Sequence, residues 1–444
     1  MNPMPSRNLV FAIIFVLFLG CEPAPPQVEI SRVDYHEKLQ GFWLGQSIAN
    51  WTGLVTEMDK IGGDGPHGEF YTRESWGQPD QPSIWSEEPS ALSATIDWVL
   101  RGEDETWNAD DDTDIEYIYQ HLLLENATSL LSGEQIRDGW LTHIYSDENT
   151  PFKNPDGTPE NFLWVSNQRA HDLMRTEGMV PPATSDPENN PEYEMIDAQL
   201  TTEIFGLFSP TRPDVALKMA YLPIRTTAGG EAALASEFYV VMYSLASAVD
   251  QSLSAKEQVQ WLAKEARAQL PNDSTTAKMY DFVKILYDAG APWEAARDAV
   301  YERYQVNEQD GYDIPSRGLY CDGCFASGIN FAASIVSLLY GEGDYKETVK
   351  IAVLTGWDSD NPAATWGGLL GFMYGRAAVE AMFDTPLSNR FDIHHTRGNF
   401  PNDGIDTFEA MADKGLQVID RVVEEELGGS TDTEKQRWRI PVAE

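Results

Sequence analysis

Three carboxylates stand side by side at Asp110-Asp111-Asp112, just ahead of an apolar stretch that starts at Ile115. One aspartate at such a place is an ordinary helix N-cap, and the whole run also reads as capping plus solvated charge. Three neighbouring carboxylates repel one another, however, and a bound cation removes that repulsion. Clustered hard oxygen donors suit Mg²⁺, Mn²⁺ or Ca²⁺ rather than zinc. A second acidic set lies in Gly356-Trp-Asp358-Ser-Asp360, followed by Asn361, which is placed to cap a helix whose first residue is Pro362. Acids there face the positive end of the helix dipole, and Gly356 permits a sharp approach.

A third acid, Glu57, closes the series Gly41, Gly45, Ala49, Gly53, Glu57 at helical i+4 spacing. Glycine costs up to ~1 kcal/mol inside a helix, so such a stripe requires the close approach of another helix or of a ligand. Ala363, Gly367, Gly371 and Gly375 form a second stripe of the same kind. If the two pack antiparallel, Glu57 meets Asp358 and Asp360. The seven histidines contain no HExxH set. The adjacent pair His394-His395 reads as structural, without a matching third ligand.

The elements that must position these acids are helices. Apolar residues recur at helical spacing around Ile115, Ile118, Tyr119, Leu122 and Leu123, and in 36–57, 87–101, 231–250, 254–268, 275–288, 293–303, 327–340, 345–354, 363–382 and 407–425. Alternating runs are rare, so the expected fold class is all-α, one large helical domain. Two stretches rich in Pro, Asp, Asn and Gly, Ser146 to Asn161 and Val180 to Glu192, are expected as long surface loops. The tail over 428–444 is polar and expected to fray.

The amino terminus carries Arg7, an apolar run from Leu9 to Leu19, and then Gly20-Cys21. That run is too short to span a bilayer and reads as a signal peptide over 1–20. Phe18-Leu19-Gly20-Cys21 resembles a bacterial lipobox, which makes Cys21 the lipidation site and residues 21–33 a Pro-rich tether to a domain over 34–427. The expected location is exported, periplasmic or outer-surface, with the membrane reached through the lipid. The other two of the three cysteines, Cys321 and Cys324, read as a local disulfide in an oxidising compartment. With 71 acidic and 31 basic residues the net charge is -40, which repels nucleic acid.

Taken in order, these residues carry a family resemblance. Gly45 to Glu57 resembles the N-terminal motif of ADP-ribosylglycohydrolases, Asp110-Asp-Asp-Thr113 their Thr-Asp-Asp-Thr motif, and Gly356-Trp-Asp-Ser-Asp360 their Gly-Gly-Asp-Thr-Asp-Thr motif. The likeness, to the dinitrogenase reductase-activating glycohydrolase type, extends from about residue 36 to 425. It implies a single large orthogonal helical bundle and a pair of divalent cations, Mg²⁺ or Mn²⁺, contacted by Asp110, Asp111, Asp112, Asp358, Asp360 and Asn361. Glu57 is implied as the acid that serves catalysis. Asp110 and Asn361 stand where the family motifs have threonine, Ala49-Asn50 where they have Gly-Asp, and Ala228 near where relatives often carry a histidine.

The implied activity is metal-dependent cleavage of an N- or O-glycosidic bond to ADP-ribose or a related ribosyl or glycosyl group, free or protein-linked. Two alternatives remain at this point, a nutrient- or glycan-binding surface lipoprotein and a family member that has lost turnover. The amino-terminal reading makes a direct prediction. Cys21→Ser is expected to release the protein into the soluble periplasmic or culture fraction, or to block its processing. Fractionation and the mass of the mature amino terminus check it, and unchanged behaviour in both refutes the anchor.

Overall fold

The computed structural model describes Met1 and residues 26–442. The apolar leader and Cys21 lie outside the described residues. Helix follows helix from there on: α1 Arg32–Gly53, α2 Asp111–Glu125, α3 Gly133–His143, α4 Val165–Glu177, α5 Ile204–Phe208, α6 Pro213–Thr227, α7 Gly230–Leu245 and α8 Ala255–Gln269. The second half adds α9 Thr275–Asp288, α10 Trp293–Val300, α11 Ser327–Gly341, α12 Tyr345–Thr355, α13 Asp360–Tyr374, α14 Arg376–Ala381 and α15 Phe408–Glu425. The fold is all-α.

No helix forms over 87–101, where apolar spacing predicted one. Pro89 interrupts the segment, and side chains compete for its backbone: Ser90 Oγ accepts from Leu92 N, Ser93 Oγ from Thr95 N, and Asp97 Oδ1 from Trp98 N. The carboxyl end also departs from expectation. Rather than fraying, it supplies strands β5 (Ser430–Asp432) and β6 (Arg437–Pro441), and β6 pairs antiparallel with β1 (Gln27–Ser31), so the last part of the expected tether is a strand too. Trp438 and Ile440 alternate with arginines along β6 and are fully buried. The Trp438 ring meets Tyr35 edge-on at 5.2 Å, and its indole N–H donates to Asp420 at 2.7 Å. Two buried apolar side chains in five residues outweigh the polar composition around them.

At the centre, α1 and α13 lie against each other along their small-residue stripes, in the antiparallel arrangement that brings Glu57 to Asp358 and Asp360. A methyl group added at Gly41 would lie 2.7 Å from the Gly375 carbonyl carbon, one at Gly45 2.9 Å from Gly371 Cα, and one at Gly53 2.9 Å from Asp360 Cβ. Backbone therefore touches backbone, and no rotamer change relieves a larger residue. The Gly45 carbonyl accepts a hydrogen bond from Tyr345 on α12 at 2.6 Å. Around this pair, a small second sheet brings two distant segments together. Strand β2 (Trp107–Asn108) runs parallel to β3 (Arg390–Asp392), which pairs with β4 (Ile405–Thr407), and Ala109 N donates to the Asp392 carbonyl at 2.8 Å. The acidic run and the 394–397 segment leave that sheet side by side.

Gly45→Ala tests the seam. Overpacking a rigid contact costs about 1–3 kcal/mol, whereas Gly102, whose nearest neighbouring atom is 3.5 Å from an added Cβ, is expected to tolerate alanine. Urea unfolding of both variants checks the contrast.

Candidate active site

Glu57 does not continue α1. The helix ends at Gly53, and Glu57 sits half-buried in the turn that follows. That turn is bolted to the segment ahead of α13. Met58 N donates to the Trp357 carbonyl at 2.9 Å, Trp357 N donates to the Lys60 carbonyl at 2.7 Å, and the Thr56 and Ser359 hydroxyls meet at 2.9 Å. Met58 and Trp357 both take positive φ, at 56° and 55°, next to Glu57 and Asp358 respectively. A conformation that costs a non-glycine residue about 1–3 kcal/mol persists only where its surroundings enforce it. Here it turns two carboxylates toward each other.

Carboxylate oxygens of Glu57, Asp358 and Asp360 lie within 4.8 Å of one another, and so do those of Asp110, Asp111 and Asp112. The two triplets abut at the floor of one cavity of about 1070 Å³. Asp110 is the N-cap of α2, so its triplet lies at that helix's positive end. Asn361 plays a different part from the expected cap. The helix α13 begins two residues before Pro362, at Asp360, and the Asn361 amide donates to Asp112 Oδ1 at 3.2 Å while its oxygen accepts from Gln199 at 3.2 Å. Gln199 in turn accepts from Ser327 at 2.8 Å. The result is a buried relay from α11 to the acidic floor.

Other partners hold the remaining acids. Asn50 donates to Asp110 Oδ2 at 3.0 Å, and Gln46 donates to the Asp112 carbonyl at 3.1 Å and to Glu116 at 2.6 Å. Asn330 Oδ1 accepts from the Asp358 backbone N–H at 3.2 Å. Asn50 and Asp110 are two of the positions that depart from the family motifs, and in this chain they face each other, an amide donor against a carboxylate.

Electrostatics make the floor unstable as a set of bare charges. Burial and the neighbouring aspartates push Glu57, Asp111, Asp112, Asp358 and Asp360 well above the usual carboxylate range. Burial also raises Asp197 to about 6 against the hydrogen bonds from Ser166 and Asn167, and Asp114 to about 6 against the Arg397 guanidinium. A cation reverses the sign of every one of these interactions. The donor set fits one: it is all oxygen, and buried Asp360 Oδ1 and Asn50 Oδ1 find no hydrogen-bond partner among the described residues.

Above the floor the cavity wall is aromatic. Trp51, Trp85, Tyr145, Phe162, Trp164 and Phe325 line it, with His394 and His395. The histidine pair thus belongs to the cavity. His394 stacks on Phe162 at 4.0 Å, and His395 meets Glu160 at 2.9 Å, the third neighbour that adjacency in sequence does not reveal. Ala228 is buried at the end of α6 and does not line the cavity. Cys321 and Cys324 are disulfide-bonded as expected. Gln46, Gln199, Asn330, Asp197 and the buried Asp114–Arg397 pair went unnoticed in the sequence. Their partners lie far away in the chain, and spacing carries no signal for such pairs.

Over residues 31–420 the sequence matches the ADP-ribosylglycohydrolase family. The chain belongs to that family. At a coarse level it is therefore a member of a family of glycosyl hydrolases, typically metal-dependent. A solved structure described as "ADP-ribosylglycohydrolase-related protein complex" aligns with 88% of this chain and 99% of its own, at 15% identity and a TM-score of 0.48. No curated protein matches. The three motif segments of this ADP-ribosylglycohydrolase family member are the segments that the fold gathers at the cavity floor.

The raised carboxyls make a signed prediction. A group whose pKa is higher folded than unfolded adds stability below its unfolded value, roughly 4 for a carboxyl, and loses it as pH rises through the folded value. Without divalent ions, melting temperature is thus expected to fall between pH 4 and the values of about 6 for Asp197 and Asp114. Mg²⁺ or Mn²⁺ should restore it, since an ion that binds only the folded state stabilises that state. In Asp111→Ala and Asp360→Ala the metal-free protein should melt no lower than wild type at pH 8, and the ion-induced rise should vanish. Wild-type ion affinity in either variant, by calorimetric titration, removes that residue from the site.

Proposed function

We propose that the protein is a metal-dependent glycohydrolase that cleaves an N- or O-glycosidic bond to ADP-ribose or a related ribosyl or glycosyl group. The observation that carries this reading is the meeting of two carboxylate triplets, one gathered across the α1–α13 seam and one at the start of α2, at the floor of a single cavity. Asp110, Asp111 and Asp112 on one side and Asp358 and Asp360 on the other would hold two divalent cations, Mg²⁺ or Mn²⁺, with Asn361 orienting Asp112. Bound there, such ions orient sugar hydroxyls and polarise a water molecule.

Glu57 is the proton acceptor in this scheme. Cleavage at an anomeric carbon passes through an oxocarbenium-like state and needs a carboxylate beside the attacking water. Glu57 comes from a loop turn rather than from the α2 run, it is half-buried at the cavity floor, and its surroundings favour proton uptake. The Thr56–Ser359 and Met58–Trp357 contacts fix its backbone, so the side chain approaches a bound water from a constant direction. The seam below and the aromatic wall above limit solvent access to that water.

For location we propose export and anchoring at Cys21. The short apolar run ending in Gly20-Cys21 and the Cys321–Cys324 disulfide support it, the latter because such bonds persist in oxidising compartments. Among the described residues no helix is long and apolar enough to cross a membrane. A glycan-binding role draws support from the exposed rings of Trp85 and Trp164, but such a role gives no reason for two carboxylate triplets under them.

The test is a hydrolysis screen of ADP-ribosyl-arginine, ADP-ribosyl-serine, O-acetyl-ADP-ribose and simple nucleosides, with and without Mg²⁺ or Mn²⁺. On whichever substrate turns over, Glu57→Gln is expected to lower kcat by roughly 10²–10⁴-fold while ion affinity and melting temperature stay near wild type. Near-normal turnover would make Glu57 a structural acid and move the base to Asp112 or Asp358.

A further inference from the structure

We infer that His121, Glu125 and His143 form a second metal site, which takes one transition-metal ion of the Zn²⁺ class. One ring nitrogen from each histidine and one oxygen of Glu125 lie within 4.8 Å of one another. In α2, His121 and Glu125 stand four residues apart and so share one face of the helix. Glu125 is the last residue of α2, and His143 is the last of α3. Two helix C-termini therefore converge here, each presenting the negative end of its dipole to a cation. None of the three side chains lines the cavity, and His121 follows Asp112 by nine residues, about 13 Å along the helix. This cluster and the acidic floor are separate places.

The observation that points to an ion is the state of His143. Its side chain is 2% exposed, and its Nδ1 lies 2.9 Å from the Gly398 carbonyl. A carbonyl only accepts, so Nδ1 carries the proton and the lone pair of the neutral ring is on Nε2. That buried Nε2 has no hydrogen-bond partner among the described residues. Glu125 Oε2 is 3.7 Å from it, too far for a hydrogen bond. It is nevertheless close to the spacing of about 3.3 Å between neighbouring ligand atoms of a tetrahedral Zn²⁺ with bonds of about 2.0 Å. A buried acceptor without a donor costs stability, and an ion removes that cost. The bond from Nδ1–H to a backbone carbonyl is also the contact that orients metal-bound imidazoles. Gly398 N donates back to the His143 carbonyl at 2.9 Å, and the ring stacks on Phe400 at 4.3 Å. Both the position and the plane of the ring are thereby set.

His121 supplies the second nitrogen. Its ring stands at 86° to that of His143 with centroids 5.0 Å apart, and it meets Phe400 edge-on at 5.1 Å. Burial and the neighbouring His143 lower its pKa, which favours the neutral ring that a metal takes. Lys414, a further cation acting on it, is paired with Asp406. The Glu125 side chain is 56% exposed, so it swings inward freely and leaves a fourth coordination position open to water. Two imidazoles and one carboxylate suit Zn²⁺, whereas the all-oxygen floor suits Mg²⁺ or Mn²⁺. Through Gly398, which lines the cavity, the ion ties the ends of α2 and α3 to the cavity wall.

Zn²⁺ titrated into the full-length protein in excess Mg²⁺, against a chromophoric chelator, tests the site. Zn²⁺ held at the floor or at His394 and His395 is common to wild type and to variants here, so the difference between them isolates this ion. In His121→Gln and Glu125→Gln, affinity for one Zn²⁺ per chain is expected to fall by roughly a hundredfold. At a Zn²⁺ concentration about a hundred times the wild-type Kd, melting temperature should rise about 2–3 °C more in wild type than in either variant. Circular dichroism of Glu125→Gln, altered at an exposed position, should match wild type. Asp111→Ala, which disables the floor, should keep the ion. Equal Zn²⁺ stoichiometry and affinity in wild type and Glu125→Gln overturns the inference, as does loss of the same ion in Asp111→Ala, which would place it at the floor. Either result stands apart from whether the floor cleaves a glycosidic bond.

Discussion

Backbone contact between α1 and α13 sets the distance on which every other feature depends. Side chains cannot be interposed along Gly41, Gly45, Gly53, Gly367 and Gly371, so the two helix axes approach as closely as polypeptide allows. That approach carries the chain leaving α1 directly beside the chain entering α13. Only then can Thr56 reach Ser359 and Met58 pair with Trp357. A wider seam would separate Glu57 from Asp358 and Asp360, and no rearrangement of side chains could recover the triplet. The cost of several glycines in helices falls on a part of the molecule that gains position rather than stability from them.

Against that close packing stands the repulsion of the acids it assembles. Burial alone raises their proton affinity, and each additional carboxylate raises it further. Neutral amides, not cations, surround the floor: Asn50, Gln199 and Asn361 fix the oxygens without cancelling charge. Arg397, which lines the cavity, is committed to Asp114. A protein that needed only to fold would neutralise such a cluster or disperse it. Keeping it negative, buried and rigid is what a cation-binding floor requires.

Much of this was readable in the residues alone, and the reasons differ from element to element. The two i+4 stripes of small residues announced the close approach of a helix or a ligand, because glycine at that spacing needs a compensating contact, and the antiparallel pairing was one arrangement they allowed. The span 87–101 misled because apolar periodicity survives in a segment whose serines, aspartate and proline satisfy its backbone locally. Asn361 misled for a related reason: an asparagine beside a proline suits a cap, yet its amide serves Asp112 instead. Glu160 joins His394 and His395 across more than half of the chain, a distance over which spacing has no force. The alternation of Trp438 and Ile440 along β6 was too short to stand out from the polar tail.

That last strand has a consequence for the order in which the molecule is made. Strand β6 is the middle strand of its sheet, held between β1 at the start of the fold and β5. Synthesis runs from the amino terminus, so β1 waits without its neighbour, and the Tyr35 ring without its cover, until Arg437–Pro441 has been produced. The helices that bear the cavity can assemble earlier, but the sheet cannot close. A nascent chain therefore keeps one open edge until Arg437–Pro441 arrives, and a chain stopped short of Trp438 is marked by an unpaired strand.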